Sequence, residues 1–195
     1  VDAWGAHLLY ALACASFGAG HSLFAGSGLR RLFGRADRLA FNLIAVVHLL
    51  AVLAVGVVLL GGRPDFGLPS AVAAVMTGVS LLGAVLLLWF LRWYDLGRFS
   101  GLTQLRAPAV AAEPEPLSTT GPHAWVRHPL YAAGFLLLWG RAVDPLHLAT
   151  AVWASLYLVV GARIEERRLL ALYGEAYAAY RRRVPAFVPW RGRAA

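Results

Sequence analysis

Long stretches without charge constrain this 195-residue chain more than any other feature. No Asp, Glu, Lys or Arg occurs from Ala3 to Leu29, from Leu39 to Gly62 or from Phe66 to Leu91, runs of 27, 24 and 26 residues. Each exceeds the roughly 20 apolar residues with which a helix crosses a bilayer. Two shorter runs, His128–Gly140 and Pro145–Ala162, flank a tight Arg141–Asp144 connection and read as a helical hairpin, the fourth and fifth spans. A helix of about 14 residues rises only about 21 Å, less than the roughly 30 Å hydrocarbon core. The fourth span is therefore expected to start or stop inside the membrane, or to lean on the protein around it. The expected fold class is an all-α integral membrane protein of about five transmembrane helices, the last two a short hairpin, with a cytoplasmic C-terminal helical tail. Residues 1–195 read as one membrane domain, whose N-terminal part over 1–92 holds three helices.

Composition agrees. Hydrophobic residues make up 59% and charged residues 14%, against about 25% charged in ordinary soluble domains, which excludes a disordered chain. A single cysteine, Cys14, excludes an internal disulfide framework. A cleaved signal peptide needs a basic leading region, and Val1–Gly5 offers only Asp2.

The net charge of +8 raises nucleic acid as a partner, and the placement of the basic residues removes it. All 18 are Arg, and with five spans sixteen fall on one side, leaving Arg63 and Arg141 opposite. That asymmetry orients the chain with its N-terminus outside and its tail cytoplasmic, in the cytoplasmic (inner) membrane. The expected partners are membrane lipids and a small-molecule or lipid-borne ligand; the oligomeric state is left open. Ala107–Pro122, with four prolines, reads as an irregular cytoplasmic loop.

The glycine clusters Gly18–Gly20 and Gly26–Gly28 lack the strand–turn–helix context of a phosphate cradle and read as helix packing. Ionisable groups inside a span are functional suspects by default, so His7, His21 and His48 raise haem ligation. His48 lies about nine residues into the second span, roughly 14 Å deep, and neither His7 nor His21 is level with it. No metal site is expected.

Two strings carry more. Gly121-Pro122-His123-Ala124-Trp125-Val126-Arg127-His128-Pro129-Leu130-Tyr131 precedes the hairpin directly. Pro129 suits the first position of a helix, where its missing N–H costs nothing, and Tyr131 is one turn from His128. After the hairpin come Glu165-Glu166 and a Tyr173, Tyr177, Tyr180 stripe at i, i+4, i+7. Because the hairpin returns the chain, His128 and Glu165 are expected at one membrane depth. These residues alone also permit an Arg-rich solvated interface with paired carboxylates and an interfacial tyrosine belt.

The combined spacing resembles the isoprenylcysteine carboxyl methyltransferase-like family of integral membrane methyltransferases. The matching elements are Arg127-His128-Pro129-Leu130-Tyr131, Glu165-Glu166, Gly174-x-x-Tyr177-x-x-Tyr180 and Val184-Pro185 to Pro189. Within it, His21-Ser22 and Tyr94–Gln104 are most similar to the thiol S-methyltransferase branch, although extra residues and Thr103 before Gln104 depart from that pattern and leave the acceptor open. The resemblance implies S-adenosyl-L-methionine bound at the cytoplasmic face over 121–190, by Arg127, His128, Tyr131, Glu165, Glu166 and Tyr177. Arg127 and His128 then meet the cofactor carboxylate, the glutamates its cationic groups, and Trp125, Leu130 and Val188 line an adenine slot. Arg98 and His21 are the catalytic candidates, as cations favouring a thiolate acceptor between His21–Ser22 and Tyr94–Gln104. Prenylcysteine carboxylates, phospholipids and amines are the alternative acceptors, and a non-enzymatic sensor or assembly factor is the alternative class.

Overall fold

The computed structural model describes residues 2–24, 32–108 and 115–191, and every regular element among them is helical. They are α1 (Ala3–Phe24), α2 (Asp37–Leu60), α3 (Ser70–Phe90), α4 (Leu96–Ser100), α5 (Leu102–Arg106), α6 (Pro129–Trp139), α7 (Pro145–Tyr173) and α8 (Glu175–Arg183). The chain divides into two compact units, Val1–Pro64 with Tyr94–Pro114, and Asp65–Trp93 with Glu115–Ala195.

In the first unit α1 packs against α2. Buried positions on α2 fall at Val52, Gly56 and Leu60, a four-residue spacing that makes one stripe. The short α4 begins at Asp95, whose carboxylate accepts the Arg98 N–H at 2.9 Å and satisfies an orphan donor of the first turn. Asn42 of α2 anchors the end of α4 by donating its amide to the Phe99 and Ser100 carbonyls at 2.9 and 3.0 Å.

The second unit is built on small residues. α3 meets α6 where Gly83 faces Ala133; a Cβ on Gly83 would lie 2.8 Å from the Ala133 carbonyl oxygen. Ser80, buried one turn away, donates to the Leu137 carbonyl at 3.1 Å. Such close backbone approach is how helices associate where lipid tails remove any hydrophobic drive. Ser70–Phe90, expected beside the first two spans, thus packs with the hairpin. It also answers the length problem of the 11-residue α6, which leans on α3 and α7.

α7 starts at Pro145, capped by Asp144, which accepts the His147 N–H at 2.9 Å. It runs unbroken for 29 residues, past the expected end of the fifth span at Ala162, so Glu165 and Glu166 ride on the spanning helix itself. Among the described residues, three helical stretches are long and apolar enough to cross a membrane: Gly34–Leu60, Ser70–Trp93 and Pro145–Tyr173. Only 17%, 11% and 17% of their apolar windows are buried by protein, so these faces demand an apolar surrounding.

Candidate functional site

In the second unit, the segment before α6 is fixed from several directions. Gly121 has a φ of +58°, and the Trp93 indole stands where a side chain would begin. Tyr180 donates its hydroxyl to the His123 carbonyl at 2.7 Å. The Arg127 and His128 N–H groups then donate to the carbonyls of Pro185 and Ala186 at 2.9 and 3.0 Å. His128 occupies the N-cap position and Pro129 the first turn of α6, as their order in the sequence requires.

This frame brings the two strings together. His128 Nε2 lies 3.0 Å from Glu166 Oε1, and its Nδ1 lies 3.5 Å from Glu165 Oε2. Arg127 donates to Glu166 Oε1 through Nε at 2.8 Å and pairs with it through Nη2 at 2.6 Å. Tyr131 donates its hydroxyl to Glu165 Oε2 at 3.3 Å. Two cations therefore face two carboxylates. Burial opposes charge on His128, but hydrogen bonds and charge from Glu165 and Glu166 outweigh it and raise the imidazole above its usual range.

The two glutamates are not equivalent. Neighbours on a helix project about 100° apart, and Glu166 turns inward, 13% exposed, while Glu165 stays 49% exposed. Glu165 is the carboxylate left open to a ligand. Arg127 differs from its expected part. Besides its two contacts to Glu166, its Nη1 donates to the Val184 carbonyl and to that of Arg181 at 3.3 Å. Its fork is engaged by protein, so Arg127 holds Glu166 and the tail in place.

The tyrosines also differ from one continuous stripe. α7 ends at Tyr173, Gly174 turns the chain with φ +56°, and Tyr177 and Tyr180 lie on α8. Tyr177, Tyr180 and Val184 form a buried cluster packed against Leu117, Leu169 and Tyr173, which excludes an interfacial belt. The Tyr177 hydroxyl is buried without a hydrogen-bond partner among the described residues. Burial first, and then the Glu166 charge, push it up to about 12, so it remains a proton donor. Tyr131 stacks on His128 with centroids 5.3 Å apart and planes within 10°, which gives one ring face to the imidazole. Phe187 packs on the same imidazole at 5.6 Å and on Phe135 at 5.1 Å; the Val-Pro element flagged its neighbourhood but not this residue. Trp125 and Val188 are exposed.

In the first unit, His21 sits in the last turn of α1 with its ring 4.7 Å from Phe41. Asn42, next along α2, holds the Phe99–Ser100 turn, so adjacent residues carry the two segments proposed to flank an acceptor. Arg98 pairs with Asp95 at 3.6 Å.

A helical chain with three membrane-length stretches among the described residues and a charged cluster at the mouth of a hairpin is the class these observations define. Among known proteins, it is similar to proteins named methanethiol S-methyltransferase. The relative from Crocosphaera subtropica is 36% identical over 96 residues, 48% of this chain and 38% of that protein. Methanethiol S-methyltransferase 1 of Bradyrhizobium diazoefficiens is 33% identical over 124 residues, 61% and 43%. The Mycobacterium tuberculosis protein is 38% identical over 69 residues, 35% and 28%. The chain thus spans less than half the length of these curated relatives. No family model matches the chain, and no solved structure does. These relatives are consistent with the thiol S-methyltransferase-like branch that the sequence resembles.

Proposed function

We propose that this chain is an S-adenosyl-L-methionine-dependent membrane methyltransferase acting on a small or lipidic thiol. The observation that carries the reading is the half-exposed Glu165 carboxylate beside a buried, ion-paired Arg127–Glu166–His128 group. A cationic ligand needs such a carboxylate, held by partners that do not themselves leave. Trp125 and Val188 offer exposed apolar surface for the ligand's base.

When bound, the cofactor supplies an electrophilic methyl group on a sulfonium. The protein's part is placement, where orientation alone is worth about 7–11 kcal/mol of barrier. Glu165 attracts the cationic groups, with Tyr131 orienting its carboxylate. Arg127 and Glu166 act behind it, keeping His128 and the tail in register. On the acceptor side, Arg98 favours a thiolate, because a neighbouring cation lowers a thiol's pKa from about 8.5, and His21, set against Phe41, borders the acceptor. The thiol acceptor follows from the relatives' names, the five-span count from the charge-free runs, and the cytoplasmic tail from the Arg distribution given that count.

The test is methyl transfer from labelled S-adenosyl-L-methionine by the purified protein across methanethiol, prenylcysteines, amines and phospholipids. Labelled thioether is the expected product. Methyl esters or amines instead would replace the thiol, and no transfer at all would favour a sensor or assembly role.

A further inference from the structure

Proline sets the course of the tail after α8. Pro185 cannot continue a helix and pushes the residue before it into extended backbone; Val184 accordingly caps α8 with φ −105° and ψ 126°. The segment that follows lies against the entrance of α6, where the carbonyls of Pro185 and Ala186 accept the Arg127 and His128 N–H groups. That pairing delivers the next residue, Phe187, to the His128 side chain. Its ring centroid lies 5.6 Å from the imidazole with the planes at 39°. Phe135, one turn beyond Tyr131 on α6, packs T-shaped on Phe187 at 5.1 Å.

His128 is buried, and both of its ring nitrogens face carboxylates, Nε2 towards Glu166 and Nδ1 towards Glu165. Its faces meet aromatic rings: Tyr131 stacks within 10° of parallel, and Phe187 packs on it as well. A ring within about 6 Å of a cation attracts it through its quadrupole, so both rings favour the charged imidazole over the neutral one. The charges acting on it are Glu165 and Glu166 from α7 and Arg127 from its own segment. His123 lies on that segment too; burial, and then the His128 charge, hold it below its usual range. Tyr131 and Phe187 bring no charge. The cation between the two glutamates therefore rests on rings supplied by two separate segments, α6 and the tail.

We infer that Phe187 is a positioning residue of the donor site: with Tyr131 it fixes the His128 imidazole, and through it the Glu165 carboxylate that meets the ligand. The inference rests on the proposed cationic donor at Glu165 and adds the tail residue by which that carboxylate is set. Glu165 is half exposed, and its anchors are the Tyr131 hydroxyl at 3.3 Å and His128 Nδ1 at 3.5 Å. An imidazole free to tilt gives up the longer of these contacts first. A carboxylate already held in place loses less freedom when the ligand binds, so affinity follows the hold on the ring.

NMR of the protein carrying labelled histidine reports the titration of His128, assigned by the signal lost in His128→Gln. Phe187→Leu removes the ring while keeping the site apolar, and should lower that midpoint by about 0.5–1 pH unit, the equivalent of one cation–π contact. By calorimetry the same variant should bind S-adenosyl-L-methionine about 3- to 10-fold more weakly. Phe187→Tyr, which keeps the ring, should restore both. In the His128→Gln background Phe187→Leu should cost no further affinity, because it acts through the imidazole. An unchanged midpoint, or a loss of affinity that adds in full to that of His128→Gln, overturns the inference. A parent that binds no donor overturns the cationic-donor reading; the midpoint is measured without donor and separates that failure from one of Phe187.

Discussion

His128 Nε2 lies 3.0 Å from Glu166 Oε1 although 38 residues separate them in sequence. The hairpin of α6 and α7 makes that approach, and Arg127 meets the same oxygen. Three groups with side-chain exposures of 5%, 13% and 11% thus pair at the hairpin mouth, and the half-exposed Glu165 completes the balance of two cations and two carboxylates.

From this follows a division between the adjacent glutamates. Glu166→Gln leaves the Arg127 charge without its carboxylate, and breaking a buried pair costs about 3–5 kcal/mol. Thermal unfolding of that variant should show a large loss of stability. Glu165→Gln should unfold near the parent temperature, because its carboxylate is half exposed. Equal destabilisation by both substitutions would contradict the assignment of separate structural and ligand roles.

The pH dependence has a definite sign. His128 titrates above its unfolded value of about 6.5, so its contribution is fully present below that pH. It is lost as pH rises through the raised folded value. Melting temperatures taken upward from about pH 6 should therefore fall more steeply for the parent than for His128→Gln. Parallel curves would remove the charged imidazole.

Topology gives an independent check. With Cys14 replaced by Ser, a cysteine at Asp65 should react with an impermeant maleimide from outside the cell, and one at Ser118 only after the membrane is opened. The reverse pattern would invert the orientation drawn from the arginines.

The α3–α6 contact is predicted to be intolerant of bulk. Gly83→Val forces a side chain into the Ala133 carbonyl, and overpacking of a close interface costs about 1–3 kcal/mol or more. Gly78→Ala, at a position with open space around it, should be near neutral in the same unfolding assay. Similar effects of the two would remove the small-residue interface as a source of stability.

Much of this site was legible before any coordinates. Pro129 after Arg127-His128 marks a helix start, and a hairpin of two apolar runs returns the chain to the depth at which it entered. Adjacent glutamates, by contrast, carry no sign of which turns inward; that depends on the rotation of α7 about its axis. The protein partners of Arg127 were hidden for a related reason. Its partners include backbone carbonyls of Arg181 and Val184, which exist only once the tail folds back, and every residue has a carbonyl. Gly174 broke a stripe that periodicity alone had joined. Ser16 and His48, 32 residues apart on different helices, meet through a register that hydrophobic pattern does not specify.

The central claim is a cationic methyl donor held at Glu165, and isothermal calorimetry with S-adenosyl-L-methionine tests it most directly. The parent protein should bind it saturably at one site, and Glu165→Gln should bind about 10- to 150-fold more weakly, the loss of one charge-assisted contact of about 1.5–3 kcal/mol. Saturable binding with the same affinity in both proteins would place the donor elsewhere, and no binding by the folded parent would contradict the account.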